Sequence, residues 1–229
     1  MTHQESQKKA AAEKGVDHIK SGMILGLGTG STFVYALNKI ARLINKGELK
    51  NIAGIPTSKK TEKLAVELGV PLTTLSEQPE IDLTIDGADE VDNNLNLIKG
   101  GGGALLREKI IAQASNRNII IVDDSKLSEN LGQKWAVPVE IIPFAFEVEK
   151  KFLESIGAVT KLRREKNGEI YITDEGNYII DANFGIIDNP TNLAVMLESR
   201  AGIVEHGLFI DTTALLIVST VNGIKEIKR

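Results

Sequence analysis

The sequence predicts an α/β fold: a mainly parallel sheet flanked by helices in the Rossmann-like manner, with an inserted smaller α+β domain. Three observations predict it. Short apolar runs alternate with helical stretches through the first half of the chain, the pattern of parallel strands joined by crossover helices. Glycine-rich or acidic segments follow those apolar runs directly, as loops at strand ends do. After Gly132 the texture changes to short strand-like runs separated by Asn-Gly and Glu-Gly turn signals. Composition agrees. The 229 residues, 42% hydrophobic and 25% charged, suffice for a sizeable core, and 4% aromatic content leaves that core to Ile, Leu, Val and Ala.

In order along the chain, residues 4–19 read as an amphipathic helix that Ser21 and Gly22 end. Residues 23–27 form a short apolar run into glycines, hence a buried strand and a turn. Residues 31–45 read as a helix with Phe33, Leu37, Ile40 and Leu43 on one face. The unit repeats: a strand at 51–55, a helix from Thr57 and Ser58 to Leu68, a short strand at 71–75 and another at 81–85 ending on Asp86. A loop at 99–103 leads into a helix over 104–115, and a strand at 118–122 ends on Asp123 and Asp124. Residues 137–142 then read as a strand, 144–156 as a helix, 159–164, 170–173 and 178–182 as short strands, and 190–199 as a helix. Residues 208–209 and 214–219 read as strands returning to the first sheet. The expected domains are therefore 1–132 plus 207–229 for the catalytic α/β part and 133–206 for the small α+β part, a lid or an oligomer interface.

Charge and residue usage exclude several classes. The chain has no cysteine, so disulfides, zinc–thiolate sites and a cysteine nucleophile are out. Its net charge is −4 and it has no basic tract, which disfavours nucleic acid as a partner. No apolar run approaches the roughly 20 residues of a membrane span, and residues 1–20 lack an apolar signal-peptide core. A cytoplasmic location is the expectation.

Four segments carry candidate chemistry. G-L-G-T-G-S-T, residues 26–32, follows a strand and opens a helix. Glycine lets backbone turn tightly and approach a ligand, and helix N–H groups with Ser and Thr hydroxyls can face an anion. A dinucleotide fingerprint wants glycine where Ser31 stands and an acid at the end of the second strand; a P-loop wants a lysine that is not here. A phosphate or carboxylate cradle is left, beside the plainer alternative of a tight turn. D-G-A-D-E, residues 86–90, packs three carboxylates beyond a strand end. Like charges there raise one another's pKa toward values useful in acid–base work, although a helix cap or a Mg²⁺ site uses the same residues. K-G-G-G-G-A-L-L-R-E-K, residues 99–109, offers a backbone that can wrap a ligand, with Lys99 before it and Glu108 one turn into the next helix; on the residues alone a solvated helix face is the favoured account of Arg107, Glu108 and Lys109. D-D-S-K, residues 123–126, puts Lys126 at a strand end, where it pairs with phosphate or simply lies on a surface turn. No metal cage and no Ser-His-Asp set is evident.

The first three of these motifs, in this order and over nearly the whole chain, resemble ribose-5-phosphate isomerase of type A, as do I-V-D-D-S-K and V-P-V-E-I-I-P. The resemblance implies interconversion of ribose 5-phosphate and ribulose 5-phosphate through a cis-enediolate, in the non-oxidative branch of the pentose phosphate pathway. It implies a sugar-phosphate substrate, no metal and no other cofactor, and a homodimer or homotetramer. By position it assigns the base to Glu108, the supporting aspartates to Asp86 and Asp89, and an oxyanion-stabilising lysine to Lys99. It assigns the phosphate to Thr29, Gly30, Ser31 and Thr32 with Lys8 (Lys9 being adjacent), and further substrate contacts to Gly100, Gly101, Gly102 and Lys126. The glycine run is four long here, where family members often have three and an alanine. The same architecture also resembles sugar-phosphate deaminases, lactonases and the ligand-binding domains of sugar-responsive repressors; a sensor would have no need of Glu108, Lys99 and both aspartates together. A nucleotide-dependent dehydrogenase is the third choice, weakened by Ser31 and the missing acidic residue.

Overall fold

A computed structural model describes residues 2–229. Two compact units emerge: Met1–Ala88, Arg107–Lys126 and Thr212–Arg229 form the first, Asp89–Leu106 and Leu127–Asp211 the second. The sequence suggested a single excursion at 133–206. In the structure the second unit also takes residues 89–106, 127–132 and 207–211.

The first unit is built on a six-stranded sheet. Its strands are β1 (Ile24–Leu27), β2 (Ala53–Pro56), β3 (Leu83–Asp86), β6 (Asn118–Asp123), β12 (Leu215–Thr220) and β13 (Gly223–Lys228), in the order β13-β12-β6-β3-β1-β2. All neighbours are parallel except the β12–β13 hairpin. Side chains alternate across the sheet. Leu25, Leu27, Leu83, Ile85, Ile119, Ile121, Leu215 and Ile217 share one face and pack on α1 (His3–Val16) and α2 (Ser31–Asn45). Small residues let α1 come close: Ala11 and Ala12 are fully buried, and a Cβ on Gly15 would lie 2.9 Å from Ile121. On the opposite face, Gly26 of β1 leaves room for Ile111 of α4 (Leu105–Gln113); a Cβ there would stand 2.7 Å from Ile111 and 1.8 Å from the Thr84 hydroxyl.

Chain order creates a crevice. From β1 the chain goes outward to β2 and returns on the other side of β1 to make β3. In such sheets the strand order reverses beside β1, and ligands sit beyond the carboxyl ends at that point. The loop after β1 and Asp86 at the end of β3 both lie there.

The second unit carries a four-stranded antiparallel sheet of β7 (Val137–Ile141), β8 (Val159–Leu162), β9 (Tyr178–Asn183) and β10 (Ile203–His206), ordered β10-β7-β9-β8. Helices α5 (Phe146–Ser155) and α6 (Pro190–Glu198) supply Leu153 and Leu197 to its core. A three-stranded sheet orders β11 (Leu208–Phe209), β5 (Leu97–Ile98) and β4 (Glu90–Val91).

Several elements differ from the sequence reading. Residues 208–209 do not return to the first sheet; they pair with β5. The anticipated strand at 71–75 shrinks to one bridge, Leu72 to Gly54, and that at 170–173 to one bridge, Ile170 to Arg164. β13 was not anticipated, because its Ile224 and Ile227 stand three apart and give no apolar–polar alternation on a wholly exposed edge. The two-residue strands β4 and β5 are too short to carry a period, so sequence pattern passes over them. Helix α1 stops at Val16, three residues early, and begins at a Thr2 cap where Glu5 closes a capping box.

Candidate active site

The loop after β1 uses its three glycines for three different reasons. Gly26 is a packing glycine, as described above. A Cβ on Gly28 would lie 2.3 Å from Asp86 Oδ1 and 2.6 Å from the Ile85 carbonyl oxygen, so this position admits the approach of β3. Gly30 has open space around it but a φ of +106°, which side-chain-bearing residues avoid. As the N-cap of α2 it brings no side chain to the first turn. The leading N–H groups of a 15-residue helix therefore remain for an anion, at its positive end.

Thr29 faces inward. Its hydroxyl lies 2.7 Å from Thr57 Oγ1, 2.8 Å from Ser58 Oγ and 3.1 Å from Thr61 Oγ1. Its proton goes to Ser58 Oγ, and its lone pairs can still accept. Its N–H donates to Asp86 Oδ1 at 3.0 Å. Thr29 thus anchors the loop while lining the cleft beside it. The cluster continues into the core: Thr57 Oγ1 donates to the Leu27 carbonyl at 3.0 Å, and Thr61 Oγ1 to the Gly28 carbonyl at 2.8 Å. Thr57, Ser58 and Thr61 are all buried, with Ser58 capping α3 (Lys59–Glu67). Sequence reasoning took Thr57 and Ser58 only as a helix start; a Thr-Ser pair at a strand end opposite a glycine loop was the available signal.

Cationic charge reaches the loop from α1. Lys8 Nζ lies 3.1 Å from Ser31 Oγ, while Lys9 is exposed. A cleft of about 660 Å³ opens here, lined by Glu5, Lys8, Thr29, Gly30 and Ser31 with Lys60 and Lys63 of α3.

The carboxylates of this unit sit at the same end of the sheet. Asp86 is 3% exposed, and its Oδ1 accepts the N–H of Gly87 at 2.7 Å besides that of Thr29. Helix α4 leads into β6, which runs parallel to β1 and β3, so its first turn lies at the strands' carboxyl ends. Glu108 occupies that turn, 5% exposed and one turn before Ile111, whose side chain faces β1. Asp123 at the end of β6 accepts from Ser125 N–H at 3.1 Å and from its hydroxyl. Lys126 is half-buried in the 3₁₀ turn that follows.

In the second unit, Asp89 and the glycine loop come together. Asp89 Oδ2 accepts the Gly101 N–H at 2.7 Å, and its own N–H donates to the Ile98 carbonyl at 2.9 Å. Lys99 is 4% exposed; its ammonium stands 5.5 Å from the centre of the Phe209 ring, and its N–H pairs with the Gly207 carbonyl at 2.9 Å. Asp89 lies three residues beyond Asp86 in the chain, and Gly103 five residues before Glu108. Among the described residues no three His, Asp or Glu side chains are grouped to hold a metal ion. No helix among them is long and apolar enough to cross a membrane.

Comparison with known proteins agrees with this layout. A family model described as ribose 5-phosphate isomerase A (phosphoriboisomerase A) matches residues 53–223. Ribose-5-phosphate isomerase A of Desulfatibacillum aliphaticivorans is 55% identical over 228 residues, covering 100% of this chain and 99% of its own length. Among solved structures, a D-ribose-5-phosphate isomerase in complex with phospho-erythronic acid superimposes with a TM-score of 0.97 at 41% identity, both chains being covered in full. Ribose 5-phosphate isomerase from Plasmodium falciparum gives 0.95 at 45% identity, covering 98% of this chain and 99% of its own. With the match running from end to end and the glycine loops and carboxylates on its strand ends, this chain belongs to the ribose 5-phosphate isomerase A family.

Proposed function

We propose that the chain interconverts ribose 5-phosphate and ribulose 5-phosphate, an aldose–ketose isomerisation of the pentose phosphate pathway, through a cis-enediolate. The observation that carries this is one sheet edge with two functions. An uncapped helix N-terminus with Lys8 beside it suits a phosphate dianion. Glu108, buried at the same strand ends, suits a base.

Glu108 takes the proton from C2 of the open-chain aldose and returns it to C1. Thr29, Gly30, Ser31 and Thr32 with Lys8 hold the phosphate, and Lys126 adds positive charge. Asp86, whose Oδ1 holds the loop, serves ring opening or carries the proton between O1 and O2. Lys99 and the N–H groups of Gly100 and Gly102 stabilise the oxyanion that grows as the C–H bond breaks, an effect worth about 3–4 kcal/mol per donor, while Gly101 contributes as the loop's tie to Asp89. Asp89 holds that loop through Gly101. Binding energy from the remote phosphate is available to orient the reacting carbons.

The chemistry is proton transfer alone and calls for no metal or cofactor. The protein works in the cytoplasm as a homodimer or homotetramer. Phe144, 97% exposed, and Val148, 58% exposed, support an interface on the second unit. The test is formation of ribulose 5-phosphate from ribose 5-phosphate by purified protein in excess EDTA. Full activity is expected; activity that EDTA abolishes and Mg²⁺ restores moves Asp86 and Asp89 to a metal site.

A further inference from the structure

The loop Lys99–Gly103 has no side chain between its ends with which to hold itself. Gly100 and Gly103 have φ of +94° and +81°, and four consecutive glycines have more conformational freedom to lose than any other run. An oxyanion site nevertheless needs its donors fixed before charge develops. The structure shows what fixes them. Arg163 Nη1 donates to the Gly100 carbonyl at 2.6 Å and to the Gly101 carbonyl at 3.3 Å. Tyr171 Oη donates to the Gly102 carbonyl at 3.3 Å, and a Cβ on Gly103 would lie 2.1 Å from that same phenol oxygen. Arg163 is itself aimed: its Nε meets Asp181 Oδ2 at 3.1 Å and its Nη2 meets Oδ1. Backbone pairing sets the spacing, with Arg163 N–H on the Ile179 carbonyl at 2.9 Å and Tyr171 N–H on the Arg163 carbonyl at 3.0 Å.

We propose that Arg163, aimed by Asp181 and backed by Tyr171, is a positioning residue for the isomerisation: it grips the carbonyl side of the glycine loop so that the loop's N–H side is set for the enediolate oxygens. This rests on the isomerase reading above. Planar trans peptides place C=O and N–H on opposite sides, so holding the carbonyls of Gly100 and Gly101 fixes the N–H groups of Gly101 and Gly102. One of these goes to Asp89. A cationic donor on a carbonyl also polarises that peptide and strengthens the hydrogen bond its N–H gives. Burial pushes the Tyr171 phenol up, which keeps it a proton donor at neutral pH. Lysine cannot replace Arg163, because one ammonium cannot serve a bidentate carboxylate and two carbonyls together.

The test uses the full chain with Arg163→Ala, Arg163→Lys and Asp181→Asn. For each, kcat and KM for ribose 5-phosphate are measured, with inhibition by two ligands. Phospho-erythronic acid carries a carboxylate in place of the enediolate oxygens; ribitol 5-phosphate carries an uncharged hydroxymethyl end. For both Arg163 variants kcat is expected to fall roughly 10- to 100-fold with little change in KM, as for loss of a transition-state donor's alignment. Phospho-erythronic acid should weaken in proportion to kcat while ribitol 5-phosphate keeps its affinity. Equal weakening of both ligands, or a folded Arg163→Lys variant with unchanged kcat, overturns the proposal. Arg163→Lys keeps the charge and stem and carries the test should Arg163→Ala fail to fold. No turnover by the unaltered chain overturns the isomerase reading itself; turnover by the unaltered chain and by every variant alike overturns only the role of Arg163.

Discussion

Asp86 holds the backbone of Thr29. One carboxylate oxygen, Oδ1, accepts the Thr29 N–H at 3.0 Å and the Gly87 N–H at 2.7 Å, and so ties the loop after β1 to the end of β3. An aspartate assigned to chemistry is therefore also part of the phosphate loop's scaffold, and the two roles separate by substitution. Asp86→Asn keeps an oxygen for both N–H groups and is expected to leave KM nearly unchanged while kcat falls about 100-fold or more for want of a proton carrier. Asp86→Ala strips the acceptor, so KM should rise as well, with about 1–3 kcal/mol lost from stability. Identical kinetics for the two variants would contradict the double role; steady-state assays and urea melts decide.

Gly28→Ala and Gly30→Ala are expected to fail differently. At Gly28 the new methyl meets a carboxylate and the Ile85 backbone, which cannot simply swing away. A stability loss of about 1–3 kcal/mol is expected, as for other overpacked sites, and a raised KM as the loop is pushed off Asp86. At Gly30 nothing is hit, and the cost is the backbone conformation alone, φ +106° with ψ 172°, about 1–3 kcal/mol. Denaturant midpoints for the pair check this; a Gly28→Ala protein of unaltered stability and KM would count against the close approach.

Thr57→Val conserves shape and removes one hydroxyl from the cluster around Thr29. The Leu27 carbonyl and the Thr29 hydroxyl each lose a buried partner. Stability should drop by about 1–3 kcal/mol, KM should rise more than kcat falls, and Thr57→Ser should restore both. A neutral effect of Thr57→Val on KM would show that the cluster does not position the loop.

Glu140 in β7 gives a pH dependence. It is 1% exposed, and burial pushes its carboxyl above the ordinary value of 4.5, opposed in part by hydrogen bonds to Oε1 from Asn177 at 2.9 Å and Thr173 at 2.8 Å. A carboxyl raised on folding contributes stability that is fully present below its unfolded pKa and is lost as pH rises through the folded pKa. Glu140→Gln keeps the accepting oxygen and removes the titration. Its Tm relative to the unaltered protein is expected to be higher at pH 8 than at pH 4, and a difference independent of pH would refute the assignment.

Much of the fold was legible because its signals are local. Strands β1, β3 and β6 of the central sheet are buried apolar runs stopped by glycine or aspartate, and both long helices on one face show their apolar stripe or small-residue face in the sequence. What was not legible depends on partners far along the chain. Leu208 and Phe209 look like any returning strand until β5, about 110 residues earlier, is seen to pair with them. At the site, the glycine loops and carboxylates stood out because those residue types are costly without a use. The hydroxyl cluster around Thr29 was not legible because nothing local says that Thr57, Ser58 and Thr61 will meet it. Arg163, Tyr171 and Asp181 were missed because each looks like an ordinary polar residue of a half-exposed strand, and only the pairing of 163 with 171 and 179 brings them to the glycine carbonyls.

The central claim, that Glu108 is the base of an aldose–ketose isomerase, is tested most directly by the kcat of Glu108→Gln on ribose 5-phosphate, with phospho-erythronic acid binding measured alongside. Glutamine keeps the size and hydrogen bonding of the side chain and cannot take a proton. The account predicts a fall in kcat of about 100- to 10,000-fold with the affinity for phospho-erythronic acid unchanged from that of the unaltered chain. A fall of less than about tenfold, below what general-base catalysis supplies, would contradict it.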